Sequence, residues 1–228
     1  MAKHRNRTPE ELAQAQKLVL HTATVMFLET GYAQTTLRRV CDQSGLDLNA
    51  VTRAYGCKEN VLLELVKRIL KKQFATATAL IEGMTDDPIL FYAVETTLQL
   101  HIAESHEHIR ELYAAAYSLP NTTDYIQHTI TGKLEGIFAS HLPELQTKDF
   151  YELEIASGGI MRNFMLVPCD MYFTMDRKVK RFLETTFRVY RVPDHKIEQT
   201  IEFVSQFDFE QLAKTLIEDM LESLRLLE

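Results

Sequence analysis

The chain has 228 residues, 46% of them hydrophobic, and carries 25 Lys and Arg against 32 Asp and Glu for a net charge of −7. That is apolar content enough to bury a substantial core, which excludes an intrinsically disordered protein. Cys41, Cys57 and Cys169 lie far apart without CxxC or Cys/His spacing, which argues against a disulfide framework or structural zinc, and no apolar run approaches the roughly 20 residues that span a bilayer.

The chain opens MAKHRNRTPEE, basic and then acidic with no apolar core behind it, so a soluble, cytoplasmic protein without membrane partners is expected. Residues 1–8, with Lys3, Arg5 and Arg7, read as a disordered basic arm. Thr8-Pro9-Glu10-Glu11 then starts a helix: a hydroxyl cap, Pro at the first helical position and acids at the positive end of the dipole. This helix runs to about Thr30, with Val19, Leu20, Ala23, Met26 and Phe27 as its buried stripe and Gly31-Tyr32 at its end.

Thr35-Thr36 opens a short helix whose Leu37, Val40 and Cys41 share a face, and Ser44-Gly45-Leu46 breaks it. Asp47 is the expected N-cap of a second short helix, Leu48 to Tyr55, with Val51 and Tyr55 inward. Leu48, Asn49, Thr52 and Arg53 then point outward. This is a helix-turn-helix pattern, and a short helix with a small polar outer face and an Arg suits a major groove.

Lys58-Glu59 begins a long amphipathic helix reaching about Ile81. Beyond Asp86 only helical periodicity appears, with helices expected near 87–104, 106–118, 122–141, 148–167, 172–190, 194–206 and 208–226, separated mainly at prolines such as Pro120, Pro143, Pro168 and Pro193. The charge divides along the same line. Residues 1–72 carry 12 Lys and Arg against 7 Asp and Glu, a balance of +5, and residues 73–228 carry 13 against 25, a balance of −12. A basic head on an acidic body presents one end to a polyanion.

Val19-Leu20, Thr22-Ala23, Met26-Phe27, Glu29 and Gly31-Tyr32, followed by Thr35-Thr36, Gly45, Arg53, Tyr55, Lys58-Glu59 and Leu62, stand in an order and spacing that resembles the N-terminal domain of the tetracycline-repressor-like (TetR) family. The resemblance covers roughly residues 10–65. It implies an all-α homodimer: an N-terminal three-helix helix-turn-helix domain joined by a long helix to a larger helical ligand-binding and dimerisation domain. It further implies a one-component transcriptional regulator, a repressor binding palindromic double-stranded operator DNA and released by a small-molecule effector. Carried over by position, Thr36, Arg38, Asp47, Leu48, Asn49, Thr52, Arg53 and Lys58 form the DNA-binding set. The head departs from the family at Thr52, where a Tyr is usual, and at Asp47, Asn49, Ala50 and Ala54. Those departures leave an alternative, a ligand-binding or interaction protein of the same fold that has lost operator binding.

The expected domains are the arm over 1–8, the helix-turn-helix domain over 9–57, the connecting helix over 58–82 and the effector-binding and dimerisation domain over 83–228. Phe91, Tyr92, Tyr113, Tyr117, Met161, Phe164 and Met165 are the candidate pocket, which points to an apolar or aromatic effector. His101, Glu104 and His108 have the i, i+3, i+7 spacing of one helix face, but a break near Ser105 would spoil a metal site there, so none is expected. Ala156-Ser157-Gly158-Gly159 inside a helix implies either close helix approach or a kink. No catalytic constellation assembles, and neither an enzyme nor a cofactor is expected.

Overall fold

The computed structural model describes residues 8–225, so the expected basic arm, apart from Thr8, lies outside the described residues. Eleven α-helices and no strand occur among them, and none of the helices is long and apolar enough to cross a membrane. Helix α1 (Pro9–Thr30) is started by a reciprocal cap. The Thr8 hydroxyl accepts the Glu11 N–H at 3.2 Å, and the Glu11 carboxylate accepts the Thr8 N–H at 2.8 Å. The stripe from Val19 to Phe27 is buried.

Helices α2 (Leu37–Ser44) and α3 (Leu48–Tyr55) are joined by a three-residue turn. Gly45 takes φ +71°, the left-handed conformation that reverses the chain, and Leu46 is half-buried in the angle it creates. α2 begins at Leu37 because Thr36 is its cap, accepting the Arg39 N–H, while buried Thr35 donates its hydroxyl back to the Gly31 carbonyl at 2.9 Å. Asp47 Oδ1 accepts the Ala50 N–H at 2.8 Å and so caps its own helix.

Helix α4 (Lys58–Ile81) has 24 residues and therefore extends about 36 Å. The remaining helices are α5 (Pro88–Glu104), α6 (Glu107–Ala116), α7 (Pro120–Phe138), α8 (Thr147–Leu166), α9 (Met175–Val189), α10 (Asp194–Val204) and α11 (Phe209–Arg225). α5 is buried without interruption from Tyr92 to Leu100, and it touches α4 and every helix after it. A helix that is apolar all round belongs at the centre, and α5 is the axis of the body.

Two helix starts differ from the sequence expectation for local reasons. Pro120 starts α7 instead of separating it from α6, because the first helical position needs no N–H. α9 begins at Met175, three residues late. Asp170 Oδ1 accepts the N–H groups of Tyr172 and Phe173, each at 2.7 Å, so that residues 170–173 form a turn and Thr174 becomes the cap. α8 runs through Gly158-Gly159 without a break, so the glycines do not interrupt it.

The head is not held by α4 alone. α1 packs against α6 and α11 as well as against α2, α3 and α4, and one apolar core runs from head to body. The loop after α1 is clamped from two sides. Lys58 Nζ donates to the Tyr32 carbonyl at 2.8 Å, Glu111 Oε1 of α6 accepts the Ala33 N–H at 2.7 Å, and His108 Nδ1 lies 2.8 Å from the Leu28 carbonyl.

Candidate functional site

The outer face of α3 is as the helical period requires. Leu48, Asn49, Thr52 and Arg53 are all exposed, while Ala50, Val51 and Ala54 are buried and Tyr55 is half-buried. Leu48 is 57% exposed, a large apolar side chain at the free end of the helix. Two contacts that the sequence did not announce hold the other end: Gln16 Nε2 of α1 donates to the Ala54 carbonyl at 3.1 Å, and Asn60 Nδ2 of α4 donates to the Tyr55 carbonyl at 2.7 Å. The position of Ala54 inside the head explains its small size, since α1 packs directly on α3 there.

Thr36 and Arg38 are exposed at the start of α2, and Arg53 makes no hydrogen bond or ion pair with any described residue. Lys58 differs. Its ammonium is committed within the fold, to the Tyr32 carbonyl and to the face of the Tyr32 ring, 4.1 Å from the centroid. Burial lowers its pKa, partly opposed by the nearby Glu111 carboxylate. What Lys58 leaves open is the start of α4, where the N-cap residue Cys57 supplies no side-chain hydrogen bond to the free N–H groups.

In the body, two narrow cavities share Leu70, Gln99 and Tyr117 as a common wall. One has a volume of only about 20 Å³ among Val66, Ile69, Leu112, Tyr113 and Ile126 and is almost wholly apolar. The other, of about 30 Å³, lies among Tyr92, Glu95, Glu154, Ser157 and Met161, so that each has room for about one water molecule in the closed chain. Of the expected pocket residues, Tyr92, Tyr113, Tyr117 and Met161 line these cavities and Phe91, Phe164 and Met165 do not. Phe91 stacks on Phe74 with centroids 6.2 Å apart, Phe164 packs against Phe173 and Phe182, and Met165 is buried in the core. Tyr92 also belongs to an aromatic cluster with Phe138, Phe187 and Tyr190.

Apart from the tyrosines, the polar side chains in and beside these cavities were missed by the sequence reading. Gln73 Nε2 donates to Glu95 Oε1, the Tyr113 hydroxyl donates to Gln73 Oε1 at 3.1 Å, and Gln99 Nε2 donates to the Tyr117 hydroxyl at 2.9 Å. Ser157 Oγ donates to Glu154 Oε2 at 3.1 Å and lies 2.7 Å from the Tyr190 hydroxyl. Burial is the largest influence on both acids, pushing Glu95 up to about 7 and Glu154 up to about 8. The available signal was a carboxylate in the middle of the apolar run LFYAVETTLQL. Such a residue is almost never fully buried without a purpose or a partner.

His101, Glu104 and His108 do not converge. His101 stacks on Phe209, His108 is bonded to the Leu28 carbonyl, and Glu104 takes Arg110, the buried Lys178 and the Cys169 N–H. Among the described residues no three His, Cys, Asp or Glu side chains are grouped to hold a metal ion. In comparisons with known proteins, no family model matches this chain and no curated protein matches it.

Proposed function

We propose that this protein is a dimeric one-component transcriptional regulator of TetR type, a repressor that binds a palindromic double-stranded operator and is released by a small molecule bound in its body. The exposed face of α3 carries this function. Leu48, Asn49, Thr52 and Arg53 stand together on one side of an eight-residue helix whose other side is locked by the Asp47 cap, by α1 and by α4. Arg and Asn are the side chains that pair with guanine and adenine edges, and an exposed Leu meets a thymine methyl. The positive balance of residues 1–72 supplies the sequence-independent attraction to phosphate.

Release follows from α4. This helix begins one turn after α3 and lines the apolar cavity with Val66, Ile69 and Leu70. A ligand that spreads this cavity moves α4 and, through the Lys58–Tyr32 clamp, the head. It can do so only by binding the spread conformation more tightly than the closed one. Two copies would meet on α8, where exposed Ile155, Ala156 and Leu166 flank Gly159, whose position leaves open space.

The test is fluorescence anisotropy of the purified protein with DNA from its own promoter region, at low and at high salt. Salt-sensitive binding that saturates at two chains per site is expected. Absence of binding at low salt overturns the proposal and favours a ligand-binding protein of the same fold, consistent with the short Thr52 on the α3 face.

A further inference from the structure

Glu95 and Glu154 line one cavity and face no cation there. They are 5% and 4% exposed, and among the described residues no Lys, Arg or His lines that cavity or the apolar one beside it. Glu95 accepts one hydrogen bond, from Gln73, and Glu154 accepts its side-chain bond from Ser157. The second oxygen of each carboxyl has no donor among the described residues. Where these buried carboxyls ionise, the charge has no counter-ion beside it, and an arriving cation removes that cost.

The groups around them do not neutralise them. Lys133 of α7 acts on Glu95 only from a distance, its ammonium lying over the Phe74 ring at 4.0 Å. Tyr92 on α5, Tyr113 and Tyr117 at α6 and Tyr190 after α9 are all held protonated by burial. Of these, Tyr92 and Tyr117 line the acidic cavity, and aromatic rings are the neutral groups that suit an organic cation. Across Tyr117 and Gln99 the space becomes apolar, with Val66, Ile69, Leu112 and Ile126. The whole volume is therefore acidic at one end and greasy at the other, and both parts are narrow enough that only displacement of their common wall admits a ring.

We propose that the effector is an amphiphilic organic cation, with its charged nitrogen against Glu95 and Glu154 and its apolar part in the chamber beyond Tyr117. This sharpens the aromatic or apolar ligand that the sequence alone implied, and it rests on the proposed function only in taking these cavities as the effector chamber. Binding trades a proton for the ligand's charge wherever either carboxyl is protonated beforehand. Affinity for a permanent cation therefore rises with pH through the range in which these acids ionise.

The experiment is titration calorimetry of the full chain, without DNA, with phenylbutyltrimethylammonium and with its neutral isostere, in which carbon replaces the charged nitrogen. The cation is expected to bind more tightly than the isostere by about tenfold or more, and increasingly so from roughly pH 6 to pH 9, while the isostere shows no trend. Glu95→Gln and Glu154→Gln keep the size of each side chain and its place in the hydrogen-bond network, and each is expected to lower affinity for the cation alone. Equal binding of the two probes, or Gln variants that bind the cation as the parent does, would overturn the proposal. A protein that binds the cation but no DNA defeats the regulator and leaves this inference standing; one that binds DNA but ignores the cation does the reverse.

Discussion

Arg53 and Lys58 differ in what their charges already do. Arg53 is exposed and has no partner among the described residues, whereas the Lys58 ammonium is shared between a carbonyl and a ring. Arg53→Ala is therefore expected to weaken operator binding by about 1–3 kcal/mol with no change in melting temperature. Lys58→Ala is expected to lower stability by about 1.5–3 kcal/mol, the scale of a hydrogen bond to a charged group. Thermal melts and anisotropy on the same two variants separate these outcomes; an unchanged melt with lost DNA binding for Lys58→Ala would make its ammonium a phosphate contact instead. Glu95 and Glu154 yield a second prediction. Their values in the folded chain, about 7 and about 8, lie above the ordinary 4.5, so the folded state holds more protons than the unfolded state between those limits. Stability must then fall as pH rises through that window, with no penalty below it and the full penalty above. In urea melts, each Gln substitution is expected to stabilise the protein at about pH 9 by on the order of 2–3 kcal/mol and to change little near pH 4.

At the scale of the element, short helices depend on their ends more than on their middles. α2 and α3 are both capped by side chains readable in the sequence, Thr36 and Asp47, and both are closed by glycine. Gly45 is the sensitive one. A Cβ there meets nothing within 4 Å, so Gly45→Ala is opposed by the left-handed backbone alone, at about 1–2 kcal/mol. Gly136 within α7 is equally open but has no such constraint, and Gly136→Ala is expected to stabilise by up to about 1 kcal/mol. Chemical denaturation of the two variants should shift in opposite directions, and only Gly45→Ala should also weaken DNA binding, because it re-aims α3. The helix ends that sequence reading misplaced, at Pro120 and before Met175, are places where a residue type fits two roles. Proline both ends and begins helices, and only the surrounding hydrogen bonds decide which.

At the scale of the whole molecule, the central question is how head and body communicate. α1 contacts both α6 and α11, and Glu111 of α6 binds the loop after α1, so a movement in the body has two routes to the head besides α4. Assembly is tested on α8. Ile155 is 51% exposed, and Ile155→Arg is expected to convert a dimer into a monomer in sedimentation experiments while leaving the helical content unchanged. The monomer should retain salt-dependent attraction to DNA but lose affinity for the two-fold site, because each chain then reads one half-site alone. A dimer unaffected by that substitution would put the contact on another face.

The sequence by itself determined the helices, the caps of the first three, the outward face of α3 and the charge division, because each follows from spacing or composition within a few neighbouring residues. Leu48, Asn49, Thr52 and Arg53 are exposed for no reason beyond the 3.6-residue period. Only the tertiary structure decided that Lys58 turns inward to Tyr32, that Phe91, Phe164 and Met165 belong to packing, and that Glu95 and Glu154 share one cavity. Those facts join residues on different elements of the chain, and in the case of the two acids they depend on how α5 is wrapped by α7 and α8. Periodicity tells which side of a helix is buried; it does not tell what lies opposite, and the chemistry of a cavity is set by what lies opposite.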